Sequence, residues 1–398
     1  MLTLLLIDMS ALTFNIKPIK TEPTTLKVPD DYPTIQEAID AANPEDTIIV
    51  SEGTYAESNI YVWKAVTLIA EGTVTVDGLY ERNVFSISAP NVTIKGFTVK
   101  NSNPEYPGMG ISLVGARNVV VEGNTVTNNY YGIELYYSVN NTIVNNTVTN
   151  NHEGIELFYS QNNNITGNNA ENNWGAIPFH RSHNNTVAYN NVVNNSWGAI
   201  GLRESHDNNI LGNNVTYSWY GIWLNGSDGN NIAQNGITNT EYSIGLDRSS
   251  RNNIIQNNVA NNEHAIGFKN SSNNVYHNNF INNTEQVYIE DSVNVWDNGY
   301  PSGGNYWDDY TGEDANGDGI GDTPYVIDEK NQDNYPLMSP WIPVEETPPL
   351  WMQWWFRAIT AAGIAVLVGA VYFLKKRKPP TTPPHPQEGT DIISVTDE

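Results

Sequence analysis

Isoleucine recurs at Ile111, Ile133, Ile155, Ile177, Ile200, Ile222, Ile244 and Ile266, a step of 22 residues broken once by 23. A period of this size, held over eight units, is the mark of a solenoid. One unit cannot bury its own apolar side, so it stacks on the next. Two further columns keep step with the first. One is Val121, Ile143, Ile165, Val187, Ile210, Ile232, Ile254 and Val275; the other is Val126, Val148, Ala170, Val192, Val215, Ile237, Val259 and Phe280. Within a unit each apolar island is too short for a helix. In GIELFYS, Ile155 and Leu157 share one face while Glu156 and Phe158 share the other, the alternation of a strand. Three short strands per unit fit one coil of a parallel β-helix. A leucine-rich repeat is set aside because its consensus and its helical face are missing. The fold class expected is therefore all-β, a right-handed parallel β-helix of about 22 residues per coil, with a short capping helix before it and one transmembrane helix after it.

The repeat also accounts for the asparagine. An Asn stands two residues before each member of the third column, from Asn124 and Asn146 to Asn257 and Asn278. Equivalent positions in successive coils lie ~4.8 Å apart, close enough for their amides to hydrogen-bond along the axis. Asn also tolerates the left-handed backbone that corners require.

The ends of the chain read differently. Segment 28–45 contains Thr34 and Glu37, a capping-box pair, ahead of an apolar helical face of Ile35, Ala38, Ile39 and Ala42. This is the cap of a solenoid spanning 28–300, whose regular coils run from about 91 to 290. Segment 301–345 is a second cap. Segment 351–374 is apolar and of spanning length, and it opens with WMQWW, an aromatic interface belt. The KKRK that opens 375–398 is the basic stop of a cytoplasmic, Pro-rich tail. The expected location is the cell membrane, single-pass, with the β-helix outside. Residues 1–27 hold an apolar run interrupted by Asp8, a weak or truncated signal segment.

The net charge of −25 excludes nucleic acid as a partner, since phosphate binding needs basic clusters. The absence of Cys removes disulfides and thiolate metal sites. The segment DANGDGIGD offers Asp314, Asn316 and Asp318 at the first, third and fifth places of a calcium loop, with Gly319 at the turn. The Ile320 carbonyl and Asp322 follow at the next two places, so structural calcium is the expected cofactor.

The motifs PTIQEAIDAANPEDTIIVSEGTY, NNTIVNNTVTNN and GNYWDDYTGEDANGDGIGDTPYVID together resemble the NosD-like β-helix proteins. These carry a carbohydrate-binding and sugar-hydrolase type of repeat within the pectin-lyase-like superfamily, and the layout is similar to archaeal surface proteins. The resemblance implies the β-helix fold, and NosD itself implies copper-site maturation. No copper site is visible in the residues, apart from the stacking of His183 on His206.

Four sets of residues are candidates for chemistry. Tyr130, Trp174, Trp197 and Trp219 share the column three residues before the repeated Ile. If the neighbouring Gly154, Ala176, Ala199 and Gly221 face inward, these rings form an outward strip suited to the apolar faces of sugars. Trp223, His180 and Arg203 lie on the outward side of the following strand and extend the carbohydrate site. Glu134 and Glu156 fall on adjacent coils, where paired carboxyls are what a retaining glycosidase uses. A repeat places any recurring Glu this way, so they are read here as solvated repeat residues. His183 and His206 are metal candidates. The reading is a protein that binds a polysaccharide or surface glycan without turnover. Its rivals are a polysaccharide lyase or glycoside hydrolase, a structural spacer, and a NosD-like copper accessory protein.

Overall fold

The computed structural model describes residues 22–104 and 107–342 of the chain. Over these residues the chain winds as a parallel β-solenoid. One wall is an 11-stranded sheet, most of it built from six-residue strands such as Tyr131–Tyr136, Glu153–Phe158, Gly175–His180 and Gly198–Arg203. The rest is a 21-stranded sheet whose regular coils each contribute two three-residue strands, for example Thr142–Val144 and Thr147–Thr149. Pairing is parallel and in register, with Ile133 opposite Ile155 and Val148 opposite Ala170. The three sequence columns thus become three apolar rows lining the interior, and every member is essentially inaccessible. Coils before the first repeated Ile are longer and less regular: Thr47–Ala56 and Thr67–Asp77 are continuous strands whose pairing shifts register at a bulge.

Asparagine occupies two distinct places. Asn124, Asn146, Asn168, Asn190, Asn213, Asn235, Asn257 and Asn278 are buried, and each side-chain amide donates to the next Oδ1 along the axis. From Asn146 onward each Oδ1 also accepts the backbone N–H of the preceding coil's Asn, as Asn168 does from Asn146 at 2.9 Å, while Asn124 Oδ1 accepts that of Phe97. Such ladders satisfy backbone groups that a tight corner would leave buried and unpaired. A second set, including Asn128, Asn150, Asn172 and Asn194, takes the left-handed backbone with φ of 55–57°.

The N-terminal cap is the helix Ile35–Ala41, which buries Ile35, Ala38 and Ile39. Thr34 Oγ1 accepts the Glu37 N–H at 3.1 Å, as the capping motif requires. The next donors of the first turn are met from elsewhere: the Glu57 carboxylate accepts the N–H groups of Ile35 and Gln36. Gln36 in turn hydrogen-bonds both backbone groups of Tyr61, in the terminal strand Ile60–Val62 of the broad wall. At the other end Trp296 and Trp307 close the core, and Asn331 and Asp333 continue the amide ladders. Among the described residues no helix is long and apolar enough to cross a membrane. The expected span 351–374, the tail 375–398 and most of 1–27 lie outside the described residues.

Candidate functional site

The outward side of the broad wall carries the chemistry. Each six-residue strand turns two consecutive positions inward, as Gly154 and Ile155 do, so outward side chains arise two before, one after and three after the repeated Ile. The small column does face in: a Cβ on Gly132 would meet Val148 Cγ1 and the Gly154 carbonyl oxygen. The column beside it faces out, with Trp174, Trp197 and Trp219 each nearly half exposed.

These rings form a ladder rather than a platform. Tyr130 stacks on His152 at 4.6 Å, His152 on Trp174 at 4.8 Å, and Trp174 on Trp197 at 5.5 Å with planes 3° apart. Ring faces are thus turned to one another, and edges face solvent. At the next coil the rail changes column: Tyr220 meets Trp197 edge-on, and Tyr220, Tyr242 and His264 continue the stack.

Beside this rail lie two cavities on the wall. The first, of about 580 Å³, runs between Glu153, Trp174 and Trp197 on one side and His180, Arg203 and Trp223 on the other. Its floor includes Gly198, Pro178 and Gly201, and the two glycines leave room above the strands. The second, of about 640 Å³, is bounded by Tyr242, His264, Asp247, Lys269 and Tyr288. Trp223 and Tyr220 stand between the two and line both. The Trp223 ring reaches over Gly245, where a Cβ would meet its Cε3 and Cζ3 atoms. Arg203 is exposed and has no side-chain hydrogen bond or ion pair among the described residues, whereas Lys269 is paired with Glu290.

Glu134 and Glu156 are not solvated repeat residues. They are 8% and 6% exposed, stacked in register on adjacent strands and flanked by the outward columns of Tyr131, Tyr136 and Phe158. Large rings on the flanking columns bury what strand alternation alone would leave in water. Glu153, which sequence reasoning passed over, joins them, and its Oε2 is buried without a hydrogen-bond partner. That atom lies over Gly175, where a Cβ would collide with it. Burial pushes Glu153 up to about 7, and burial with the neighbouring Glu153 and Glu134 pushes Glu156 up to about 8. Glu134 is also raised by burial, offset in part by the hydrogen bond from Ser112 Oγ at 3.0 Å. The nearest cations are imidazoles: His152 Nδ1 is 3.6 Å from Glu153, and His180 Nε2 is 3.6 Å from Glu156. Burial lowers both histidines, so neither is an effective counter-ion at neutral pH.

The sequence cluster of His and Arg is split by the fold. His180 and Arg203 face the first cavity, while His183 and His206 lie around the corner with Arg181 and Glu204. His183 and His206 stack at 5.1 Å, but each Nδ1 accepts a backbone N–H, from His206 and Asp228 respectively. That bond places the proton on Nε2, the atom a metal would need free. In the loop 314–322, Asp314 accepts the N–H groups of Gly317, Asp318 and Gly319, and Asp318 accepts that of Ile320. Asp322 accepts the Ala315 N–H, and the Asn316 amide donates to Asp318. The loop is closed on itself. Among the described residues no group of three or more His, Asp and Glu is placed to hold a metal ion.

The fold defines a parallel β-helix protein. Within that class, residues 82–237 match the family model of the right-handed beta helix region, and residues 199–312 match that of the periplasmic copper-binding protein NosD. No curated protein gives a match. Among solved structures the chain is similar to the Dettilon tailspike protein gp208, at 15% identity and a TM-score of 0.54, covering 71% of this chain and 66% of that one. It is similar also to the Streptococcus pneumoniae surface protein and adhesin PfbA, at 16% identity over 65% of this chain and 90% of that one, TM-score 0.54. The complex of XylC with xylose is a third, at 12% identity over 66% and 76%, TM-score 0.53. At these identities the likeness is one of fold.

Proposed function

We propose that the outward side of the broad wall binds a glycan lengthwise across the two cavities. The observation that carries this reading is the pair of cavities with a low glycine floor, divided by Trp223 and Tyr220 and walled by Trp174 and Trp197. A polymer of rings with apolar faces and polar rims suits such a trough, because aromatic walls cover the faces while groups such as His180 and Arg203 meet the hydroxyls. Because the Trp174 and Trp197 faces are turned to each other, Trp223 and Tyr220 are the principal sugar contacts, and the rail is a wall. The xylose bound by XylC and the adhesin role of PfbA support the reading by analogy of fold. The reading includes display outside the cell on the anchor expected at 351–374.

The test is calorimetric titration of the full chain with a panel of polysaccharides, beside a Trp223→Ala/Tyr220→Ala variant. Binding that the variant weakens at least tenfold, about 1.4 kcal/mol, supports the groove. Unchanged binding by the variant, or no binding to any polymer, removes it. Calcium in the loop 314–322 is a separate proposal, resting on its carboxylate spacing. A rise in melting temperature on adding calcium to chelator-treated chain supports it, and an unchanged temperature sinks it.

A further inference from the structure

Glu153 lines the first cavity and Glu156 adjoins it beside His180, and the two carboxyls have an unmet need. The Glu156 side chain is only 8% exposed and its carboxyl has no hydrogen-bond partner among the described residues; Glu153 Oε2 is enclosed and equally without one. Glu134 behind them has a single donor, Ser112. No Lys or Arg pairs with any of the three among the described residues, and the two imidazoles at 3.6 Å are held neutral by burial. Three largely buried carboxyls on two adjacent strands, with one donor between them and one oxygen fully enclosed, is an arrangement native interiors avoid.

What would complete it is a group rich in N–H donors, bearing positive charge and no acceptor of its own. An ammonium meets all three conditions, with three donors and none of the lone pairs that would repel a carboxylate. Glu153 lines the cavity directly, so such a group enters from the groove. We infer that Glu153 and Glu156 recognise an amino group on the bound glycan, so that the groove takes a polymer of cationic amino sugars. This rests on the glycan-groove reading and names its substrate class. Glu153 and Glu156 hold protons near neutral pH, so an arriving ammonium displaces them and binding releases protons. The surrounding titratable groups are His152, His180, Glu134 and Tyr131, with the unpaired Arg203 beyond His180 on the far side of the cavity. The field of a chain carrying −25 charges favours the same cation. Such a field attracts any cation, so the test must separate it from the site.

The probes are an oligomer of β-1,4-linked glucosamine and its fully N-acetylated counterpart, which differ in the charged amine but share the backbone. Full chain is titrated at pH 6, where the amine is charged and both carboxyls hold protons, in two buffers of different ionisation enthalpy, which reads the proton count. Expected is at least tenfold tighter binding of the free-amine oligomer, with protons released. The preference and the proton release should both be lost in Glu153→Gln/Glu156→Gln. A control, Glu241→Gln/Glu263→Gln, replaces the same number of glutamates in the column that holds the Trp rail and should keep both. Equal binding of the two oligomers overturns amine recognition while the groove stands. Equal loss in the control overturns it in favour of general attraction. Shortening of either oligomer over time, abolished by Glu153→Gln, would assign the carboxyls to bond cleavage and overturn it as well. Binding of neither oligomer nor any other polymer removes the groove reading itself.

Discussion

At the scale of single residues, two kinds of buried polar group behave oppositely. The ladder asparagines are fully satisfied. Asn168 accepts from the Asn146 backbone and side chain, and donates to Asn190 and to the Ile143 carbonyl. Replacing Asn168 by Ala orphans the Asn146 N–H in a dry interior and takes one amide donor from the Ile143 carbonyl, and at about 1–3 kcal/mol for an unsatisfied buried group the expected loss is about 2 kcal/mol. Denaturant unfolding of the variant measures it. The glutamates are unsatisfied, and their effect depends on pH. Glu153 at about 7 and Glu156 at about 8 lie above the ordinary 4.5. Their contribution is therefore complete below about pH 4.5 and is lost as pH rises through 7 and 8, because the folded state must then ionise buried carboxyls. His183, lowered by burial and by His206, acts with the opposite sign, its contribution being present above about 6.5 and lost as pH falls. The melting temperature of the chain should drop between pH 6 and pH 9, and Glu153→Gln/Glu156→Gln should flatten that drop. An identical slope in both would refute the burial account.

At the scale of elements, the caps decide whether the solenoid stays single. The terminal strand Ile60–Val62 of the broad wall would offer unpaired backbone groups to any passing strand. Gln36 occupies both backbone groups of Tyr61 from the capping helix, at 2.7 Å for the donor. Gln36→Ala should leave the circular dichroism of the chain unchanged while raising its concentration-dependent light scattering. Association at the native level would show that the helix body alone shields the edge. The capping helix was legible because its signals are local: Thr34, Glu37 and the apolar face lie within nine residues of one another. The second partner of its first turn, Glu57, was not legible, since it comes from the end of the following strand, a contact only the winding of the chain creates.

At the scale of the whole molecule, the 22-residue period fixed coil, register and core, because equivalent positions of successive coils must stack in one row. The groove was less visible. Strict alternation puts Glu153 on the same side as Ile155, yet the strand turns both Gly154 and Ile155 inward and sends Glu153 out beside Glu156. That broken alternation gathers the carboxyls, and no pattern of period two reveals it. It also leaves a direct way to test the groove without touching its walls. Gly201 sits on the cavity floor, opposite Trp223 in register, and a Cβ there meets nothing within 4 Å. Gly201→Trp should therefore extend the Trp223 column by one ring into open space. Its stability cost should stay within about 0.5 kcal/mol, as for an ordinary surface change. The new indole fills the cavity, so glycan affinity should fall at least tenfold while the melting temperature holds. Full affinity in a stably folded Gly201→Trp chain would place the ligand elsewhere on the solenoid, since no polymer can lie along a trough whose floor has been raised to the height of its dividing ridge.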